Sequence, residues 1–426
     1  MKKKMTLRLI PALIAAAFCG GALASGFQLS EQSASGIGVA NAGAAAAAED
    51  ASTVFVNPAG MTYLPERHNF SMATTVLDRS THFTNEGTGG YLNAVVGKPI
   101  GDSGGDGGGV HAIPMFYYAY APTPDWRFGM AVTPTFADET SYGEAFTGRY
   151  SGQKTSIKVI NLNPSVAYKL NDALSVAVGI NYARAEVDFK QATVLGPNTT
   201  PDGTGRLTGD GGAWGYNLGV MYQLQPQTRV GFSYRSKIRF HLKGEKTQTA
   251  NPTRDITADL TTPDTASLAL HHRVNSKWAV LADYTWSGWS SLQKLEPVYA
   301  DGTRAVAPLR YNFKDTYRVG LGATYQLNEQ WMLRFGTAYD KNPVPSDTFR
   351  SMTVPDADRV WLALGAKWRM TPKASLDFGY VHVFVKDART ARNVYSNPSE
   401  TTVVQTIRGQ FKTSADMLSV QLNYAF

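Results

Sequence analysis

Apolar residues fall on every second position in segment after segment of this chain, the period of a strand rather than a helix. At the C-terminal end Leu418, Val420, Leu422, Tyr424 and Phe426 alternate with Ser419, Gln421, Asn423 and Ala425. Val176, Val178, Ile180 and Tyr182 oppose Ser175, Ala177, Gly179 and Asn181, and Trp214, Tyr216, Leu218, Val220 and Tyr222 oppose Gly215, Asn217, Gly219 and Met221. The same holds for Trp278 to Trp286 and for Tyr317, Val319 and Leu321 against Arg318, Gly320 and Gly322. Charges fall mainly on the face without the aromatics. A strand between lipid and a wet lumen requires this arrangement; a soluble sandwich would not repeat it in nearly every strand.

Fourteen such segments are predicted, near 69–82, 110–121, 125–136, 155–170, 173–190, 212–225, 228–243, 265–274, 277–295, 310–325, 330–341, 356–370, 374–388 and 408–426. Their connections alternate between short and long. Short turns include Asn171 and Asp172, Asn275 and Ser276, and Thr371 to Lys373, while long loops cover roughly 83–109, 137–154, 191–211, 244–264, 296–309, 342–355 and 389–407. The fold class is therefore all-β, a 14-stranded antiparallel transmembrane β-barrel with short periplasmic turns and long external loops. The first long loop, rich in glycine from Gly101 to Gly109, is expected to bury little side chain and to be mobile.

The front of the chain breaks the pattern. Lys2, Lys3, Lys4 and Arg8 precede an apolar run from Leu9 to Phe18 and the small-residue site Ala22, Leu23, Ala24, which predicts a signal peptide over 1–24. Residues 25–68 lack strand alternation: Ala44 to Ala48 favour a short helix, Gly36, Gly38 and Gly43 break a long one, and Asn57, Pro58, Ala59 and Gly60 make a tight turn. Phe27, Leu29, Ile37 and Val54 would be wasted in solvent, and so wide a barrel cannot fill itself with its own side chains. A helical plug over 25–68 inside a barrel over 69–426 answers both problems.

Composition narrows the chemistry. The sole cysteine, Cys19, lies in the signal segment, so thiol and disulfide chemistry are excluded from the mature chain. The formal charge of +7 falls to about +3 without the four leader cations, which gives no case for a nucleic-acid partner. The histidines form no metal-ligand cluster, and His68, His82, His111 and His382 lack serine and acid partners in a recognisable catalytic arrangement. No enzyme activity, metal or cofactor is expected.

Several strings carry a specific resemblance: GFQLSEQSASGIGVANAG from Gly26, EDASTVFVNPAGMT ending at Thr62, YTWSGWSSLQKL from Tyr284, NFKDTYRVGLG from Asn312, NPVP from Asn342, VPDADRVWLALG from Val354, and the closing NYAF. Together they resemble the outer-membrane long-chain fatty acid transport proteins, the FadL/OmpP1/TodX-like family, over the whole mature chain. The resemblance implies a multi-pass monomer in the Gram-negative outer membrane, in contact with outer-membrane lipids and lipopolysaccharide and inserted by the barrel assembly machinery through its terminal phenylalanine. It implies passive uptake of long-chain fatty acids or similar hydrophobic compounds by external capture, an internal pocket and lateral exit near a kinked third strand. The alternative within the family is a channel for aromatic hydrocarbons such as toluene.

Residue by residue, the resemblance places the kink at Thr133, Pro134 and Thr135, where the proline marks either an interrupted strand or simply its end. Phe27 and Leu29 are either apolar substrate contacts or plug core. Arg310, on inward parity with Arg318, is the leading candidate for a substrate carboxylate. Arg184 is the second, although alternation from Tyr182 puts it on the lipid face. Asn57, Pro58 and Ala59 are expected to shape the plug, and Arg318, Arg334 and Arg350 to form ion pairs with acids such as Asp283, Asp340 and Asp347.

Overall fold

The computed structural model describes residues 26–198 and 200–426; the expected signal segment lies outside the described residues. The wall consists of β1 (His68–Asn85), β2 (Gly109–Tyr120), β3 (Trp126–Ser141), β4 (Lys154–Lys169), β5 (Leu174–Thr193), β6 (Gly203–Gln225) and β7 (Thr228–Arg235 and Ile238–Gln248). It continues with β8 (Asn251–Thr262 and Thr265–Arg273), β9 (Trp278–Ser287), β10 (Thr316–Gln326), β11 (Trp331–Asp340), β12 (Arg359–Arg369), β13 (Ala374–Val385 and Ala388–Tyr395) and β14 (Val403–Ala425). All neighbours pair antiparallel, and β14 returns to β1 in register from Asn69/Ala425 to Asn85/Gly409. The result is a closed 14-stranded barrel. Closure removes the edges that lipid could not satisfy.

The alternation read from the sequence sorts as expected. Leu418, Val420, Leu422 and Tyr424 lie exposed on the outside, whereas Ser419 and Gln421 are buried within. Aromatic residues form an outer belt in which Tyr182 meets Trp214, Tyr216 meets Tyr234, and Tyr317 lies between Tyr284 and Tyr339. Belts of this kind mark a membrane interface.

Several expected loops are strand instead. β6 begins at Gly203, β8 at Asn251, and β13 continues to Tyr395. Beyond the membrane the outer face carries Arg206, Thr208 and Asp210 rather than apolar groups, so the signal that marks a lipid-facing strand vanishes while the backbone ladder continues. In the opposite sense, 288–295 and 310–315 leave the expected wall strands. After Ser287 the chain turns inward through Trp289–Ser291, and Trp289, Tyr311 and Phe313 are buried. The glycine-rich first loop is packed: Leu92 is buried in a cluster with Phe83, Tyr142 and Phe146, and Lys98 and Arg149 pair with Asp202 at 2.9 and 3.0 Å.

Within the barrel lie α1 (Ala34–Ile37), α2 (Ala44–Ala47), α3 (Thr53–Val56) and the 3-10 turn Pro58–Tyr63. Ser33 Oγ caps α1 by accepting from the Gly36 N–H at 2.9 Å. A side chain on Gly219 would run into Asn57 Oδ1, and one on Gly231 into the Ala45 carbonyl. The plug therefore rests on bare wall backbone at both places.

Candidate functional site

The plug is held along most of its length by inward-facing arginines of the wall. Arg334 pairs with Glu49 at 2.6 Å and with Asp377 at 2.7 Å. Arg318 pairs with Asp283 at 3.3 Å and donates to the Ala40 carbonyl. Arg229 donates to Ala46 O at 2.7 Å and to Ala47 O, the exposed carbonyl end of α2, and Arg235 donates to Phe55 O at 2.7 Å. Burial works against the ionised form of Glu49, yet Arg334, with Lys367 and His271, holds its carboxyl down to about 2. Charges this deep persist because each has partners. Asn57 donates to Ala45 O at 2.7 Å and Val220 O at 3.1 Å and accepts from the Ala59 N–H at 3.2 Å, with Pro58 opening the turn that follows.

The plug's N-terminal end is built differently, because there the wall itself is open. β2 and β3 pair only from Tyr120/Phe128 to Phe116/Val132. Two residues further in that register Pro114 would oppose Pro134 across the gap, and neither proline has an N–H to donate. β3 does not end at its proline. It runs on to Ser141, and its register with β4 shifts between Pro134 and Phe136, so the expected kink is a bulge at Thr135.

The freed edge of β3 is taken up by the plug. Leu29 N–H donates to Thr135 O and Ala137 N–H to Phe27 O, both at 2.9 Å, so that Gln28 sits opposite Phe136 as an added antiparallel rung. Gln32 closes the remaining width. It takes the Thr133 hydroxyl at Oε1 (2.7 Å), donates to Pro134 O (3.1 Å), and its carbonyl accepts from Tyr117 Oη of β2 (2.7 Å). Beside it Glu31 is fully buried without a side-chain hydrogen-bond partner, and burial raises its carboxyl to about 7.

A run of packed, buried aromatic groups leads to this gap. Phe27 stacks edge-on against Trp289 (5.0 Å) and Phe136 (6.0 Å), Trp289 meets Phe313 (5.6 Å), and Phe313 meets Tyr311 (5.1 Å). Tyr311 and Leu309 then line a small cavity that shares Val306 and Ala307 with a larger one of about 260 Å³ opening on the external side. The outer cavity carries Lys246, Arg310, Arg392 and Glu400 as its charged groups.

The two predicted carboxylate contacts fare differently. Arg310 does line the outer cavity, but from a short ladder of Leu309–Arg310 against Lys294–Leu295 outside the wall, and Glu400 grips its guanidinium at 2.6 to 2.9 Å. Arg184 is corrected: its neighbours Ala183 and Ala185 face the interior, while Arg184 stands outside and pairs with Asp210 at 2.6 Å, on a strand that has risen beyond the aromatic belt. It touches neither lumen nor cavity. Arg392 was missed by sequence reasoning. It is half-buried at the cavity wall, donates to Arg310 O at 3.3 Å, and forms no ion pair among the described residues. Lys246, which donates to Ala305 O at 2.8 Å, has no carboxylate partner either. Gln32 and Trp289 were also missed; the opposed prolines would have pointed to the first, and a tryptophan following Gly288 at a strand's end to the second.

Residues 15–426 match the family described as outer membrane protein transport protein (OMPP1/FadL/TodX). Outer membrane protein P1 of Haemophilus influenzae is 32% identical over all of both chains. The long-chain fatty acid transport protein of Escherichia coli O6:H1 is 30% identical over 85% of this chain and 87% of its own. A Pseudomonas aeruginosa FadL homologue superposes with a TM-score of 0.86 at 23% identity, covering 94% of this chain and all of that one, which supports the fold.

Proposed function

The chain belongs to the OMPP1/FadL/TodX family of outer membrane transport proteins, and from that premise we propose that it takes up long-chain fatty acids, which enter at the outer cavity and leave sideways between β2 and β3. It is an outer-membrane transporter of hydrophobic molecules. The sideways route draws on the break in the β2–β3 ladder, which is closed by plug residues rather than by wall backbone. A chain of buried aromatic groups connects that break to the outer cavity, and each methylene transferred onto such a path is stabilised by roughly 0.8 kcal/mol. No nucleotide or ion gradient is needed; binding at one end and release to the membrane at the other suffice.

The fatty-acid reading draws on the charge of the outer cavity and on the activity named for the Escherichia coli relative. Lys246, Arg310 and Arg392 stand there against Glu400 alone, so a carboxylate arriving with its chain finds a cation already there. Because Arg310 is held by Glu400, Arg392 and Lys246 are the cations open to a substrate, with Arg310 joining if Glu400 releases it. Phe27 belongs to the run of aromatic groups and Leu29 to the rung that closes the exit; Thr133, Pro134 and Thr135 form the exit's far lip.

The test is uptake of labelled oleate and labelled toluene by cells lacking their own transporter and expressing the protein or its Arg392→Gln/Lys246→Gln form. Oleate uptake that falls about tenfold in the variant while toluene is indifferent supports the reading, in line with the loss of a charge-assisted contact. Toluene uptake without oleate uptake would move the protein to hydrocarbons.

A further inference from the structure

Beyond the aromatic belt, the outer face of β7 carries a row of cations whose placement depends on one extra residue. Phe232 and Tyr234 face outward below the interruption at Ser236 and Lys237. Without it, Ile238, Phe240 and Leu242 would follow them outward by alternation. The interruption shifts the phase. Those three are buried inside, and Lys237, Arg239, His241 and Lys243 are exposed outside.

Lys237, Arg239 and His241 line an outer concavity of about 370 Å³ together with a single carboxylate, Asp259. Asp259 is engaged with His241 Nδ1 at 2.9 Å, and among the described residues no ion pair forms at Lys237 or Arg239. The position is as telling as the charge. Tyr234 packs against Tyr216 in the belt with the rings tilted by 47°, and Lys237 lies three residues further along, about 10 Å at strand rise. The short turns and the terminal Phe426 are at the opposite end of the barrel, so this end faces the cell exterior. A group held there belongs to a molecule whose chains lie in the outer leaflet and whose phosphate sits just above the hydrocarbon boundary.

We infer that Lys237, Arg239 and His241 form a site for a phosphate group of the phosphorylated glycolipid of the outer leaflet. Arginine supplies the planar fork that suits phosphate oxygens and lysine a point charge beside it, while Asp259 orients the His241 ring. The cations stand on the outer face, while Phe240 between them reaches the buried cluster that holds Trp289 and Phe313, and Thr261 and Ser291 complete the lining of the concavity.

The test is native mass spectrometry of the purified full-length protein in detergent, with diphosphoryl lipid A, with its dephosphorylated counterpart, and with phosphatidylglycerol as competitor. The protein should retain diphosphoryl lipid A and lose it on dephosphorylation. Lys237→Gln/Arg239→Gln/His241→Gln should weaken retention about tenfold or more, and Arg408→Gln/Lys412→Gln, exposed elsewhere on the wall, should leave it unchanged. Should the triple variant fail to give a heat-resistant folded barrel, the single Lys237→Gln and Arg239→Gln forms carry the comparison. Equal retention of the dephosphorylated lipid, equal retention by the substituted protein, or displacement by phosphatidylglycerol at equal concentration would overturn the assignment.

Discussion

The barrel has two seams that flank the β1–β2 hairpin, and they are sealed by different means. At β1–β14 the ladder is unbroken from Asn69/Ala425 to Asn85/Gly409, and side-chain pairs such as Thr75 with Ser419 at 2.9 Å only add to it. At β2–β3 the ladder stops at Phe116/Val132, and closure falls to Gln32 and the rung formed by Phe27 to Leu29. Backbone ladders in lipid are costly to open because each freed group loses its partner with no water to replace it. A seam made by a plug segment opens when that segment moves, and its groups are already polar and near the lumen. The contrast repeats within the plug: its later part is clamped by Arg229, Arg235, Arg318 and Arg334, whereas its first turn has no arginine clamp and leans on the Gly26 N–H to Asp356 Oδ2 bond at 2.6 Å, on the amide bonds of Gln32 and on the rung at Gln28, beside a Glu31 without an ion pair among the described residues.

The strongest way to break the contrast is to lock the weak seam. Gln28 and Phe136 face each other as an antiparallel pair, a spacing that suits a disulfide, and the sequence has one cysteine, Cys19, outside the described residues. Oxidised Gln28→Cys/Phe136→Cys should lower oleate uptake about tenfold or more and regain it on reduction, as for a locked lid. Thr74→Cys/Val420→Cys across the permanent seam should show no redox dependence of uptake. Equal inhibition by both would erase the distinction.

A smaller effect is expected from single hydrogen-bond deletions. Gln32→Ala takes from the Thr133 hydroxyl its 2.7 Å acceptor and from Pro134 O its amide donor, while the Tyr117 hydroxyl keeps the backbone carbonyl of position 32, at a cost of about 1–3 kcal/mol. Amide exchange at Leu29 should quicken accordingly, read by hydrogen exchange with mass spectrometry. Thr75→Ala on the other seam should leave that exchange unchanged.

The smallest effect is a pH response of opposite sign at the plug's two ends. Burial raises Glu31 from 4.5 to about 7, so its contribution is complete below about pH 4.5 and fades as pH rises through 7. Glu49 is lowered to about 2, mainly by Arg334 working against burial, so its contribution is present above about pH 4.5 and fades as pH falls toward 2. Exchange near Leu29 should therefore quicken between about pH 6 and 8 after correction for intrinsic rates, and exchange near Glu49 should not; Glu31→Gln should remove the response.

Much of this was legible in the chain, for identifiable reasons. A lipid-facing strand must show apolar residues at alternate positions, so Leu418 to Tyr424 or Trp214 to Tyr222 could hardly be read otherwise. The strand extensions at Gly203–Gly211 and Asn251–Thr262 stand clear of lipid and carry no such mark. The stretch from Asn312 alternates no better than a loop does, and Tyr311 and Phe313 turn inward to pack in the buried cluster with Trp289. At Thr133 to Thr135 the proline alone left an interrupted strand and a strand end equally open, and only the resemblance pointed to an interruption; the register shift between Pro134 and Phe136 depends on pairing with β4, which the local sequence does not carry. The pairing of Arg310 with Glu400 was not, since it joins two external segments 90 residues apart and nothing local in either one signals the other.

The central claim is sideways exit through a seam that the plug closes, and photo-crosslinking tests it most directly. A diazirine-bearing long-chain fatty acid would be loaded onto the membrane-embedded protein, activated during transport, and its adducts mapped by peptide mass spectrometry. Adducts on Met115 and Pro114 of β2 and on Thr133 to Phe136 of β3, lost when the Gln28–Phe136 disulfide is formed, are the predicted result. Adducts instead at the periplasmic side of the plug, around Tyr63 and Arg229, and indifferent to that disulfide, would mean that substrate passes down through the plug, and would contradict the account.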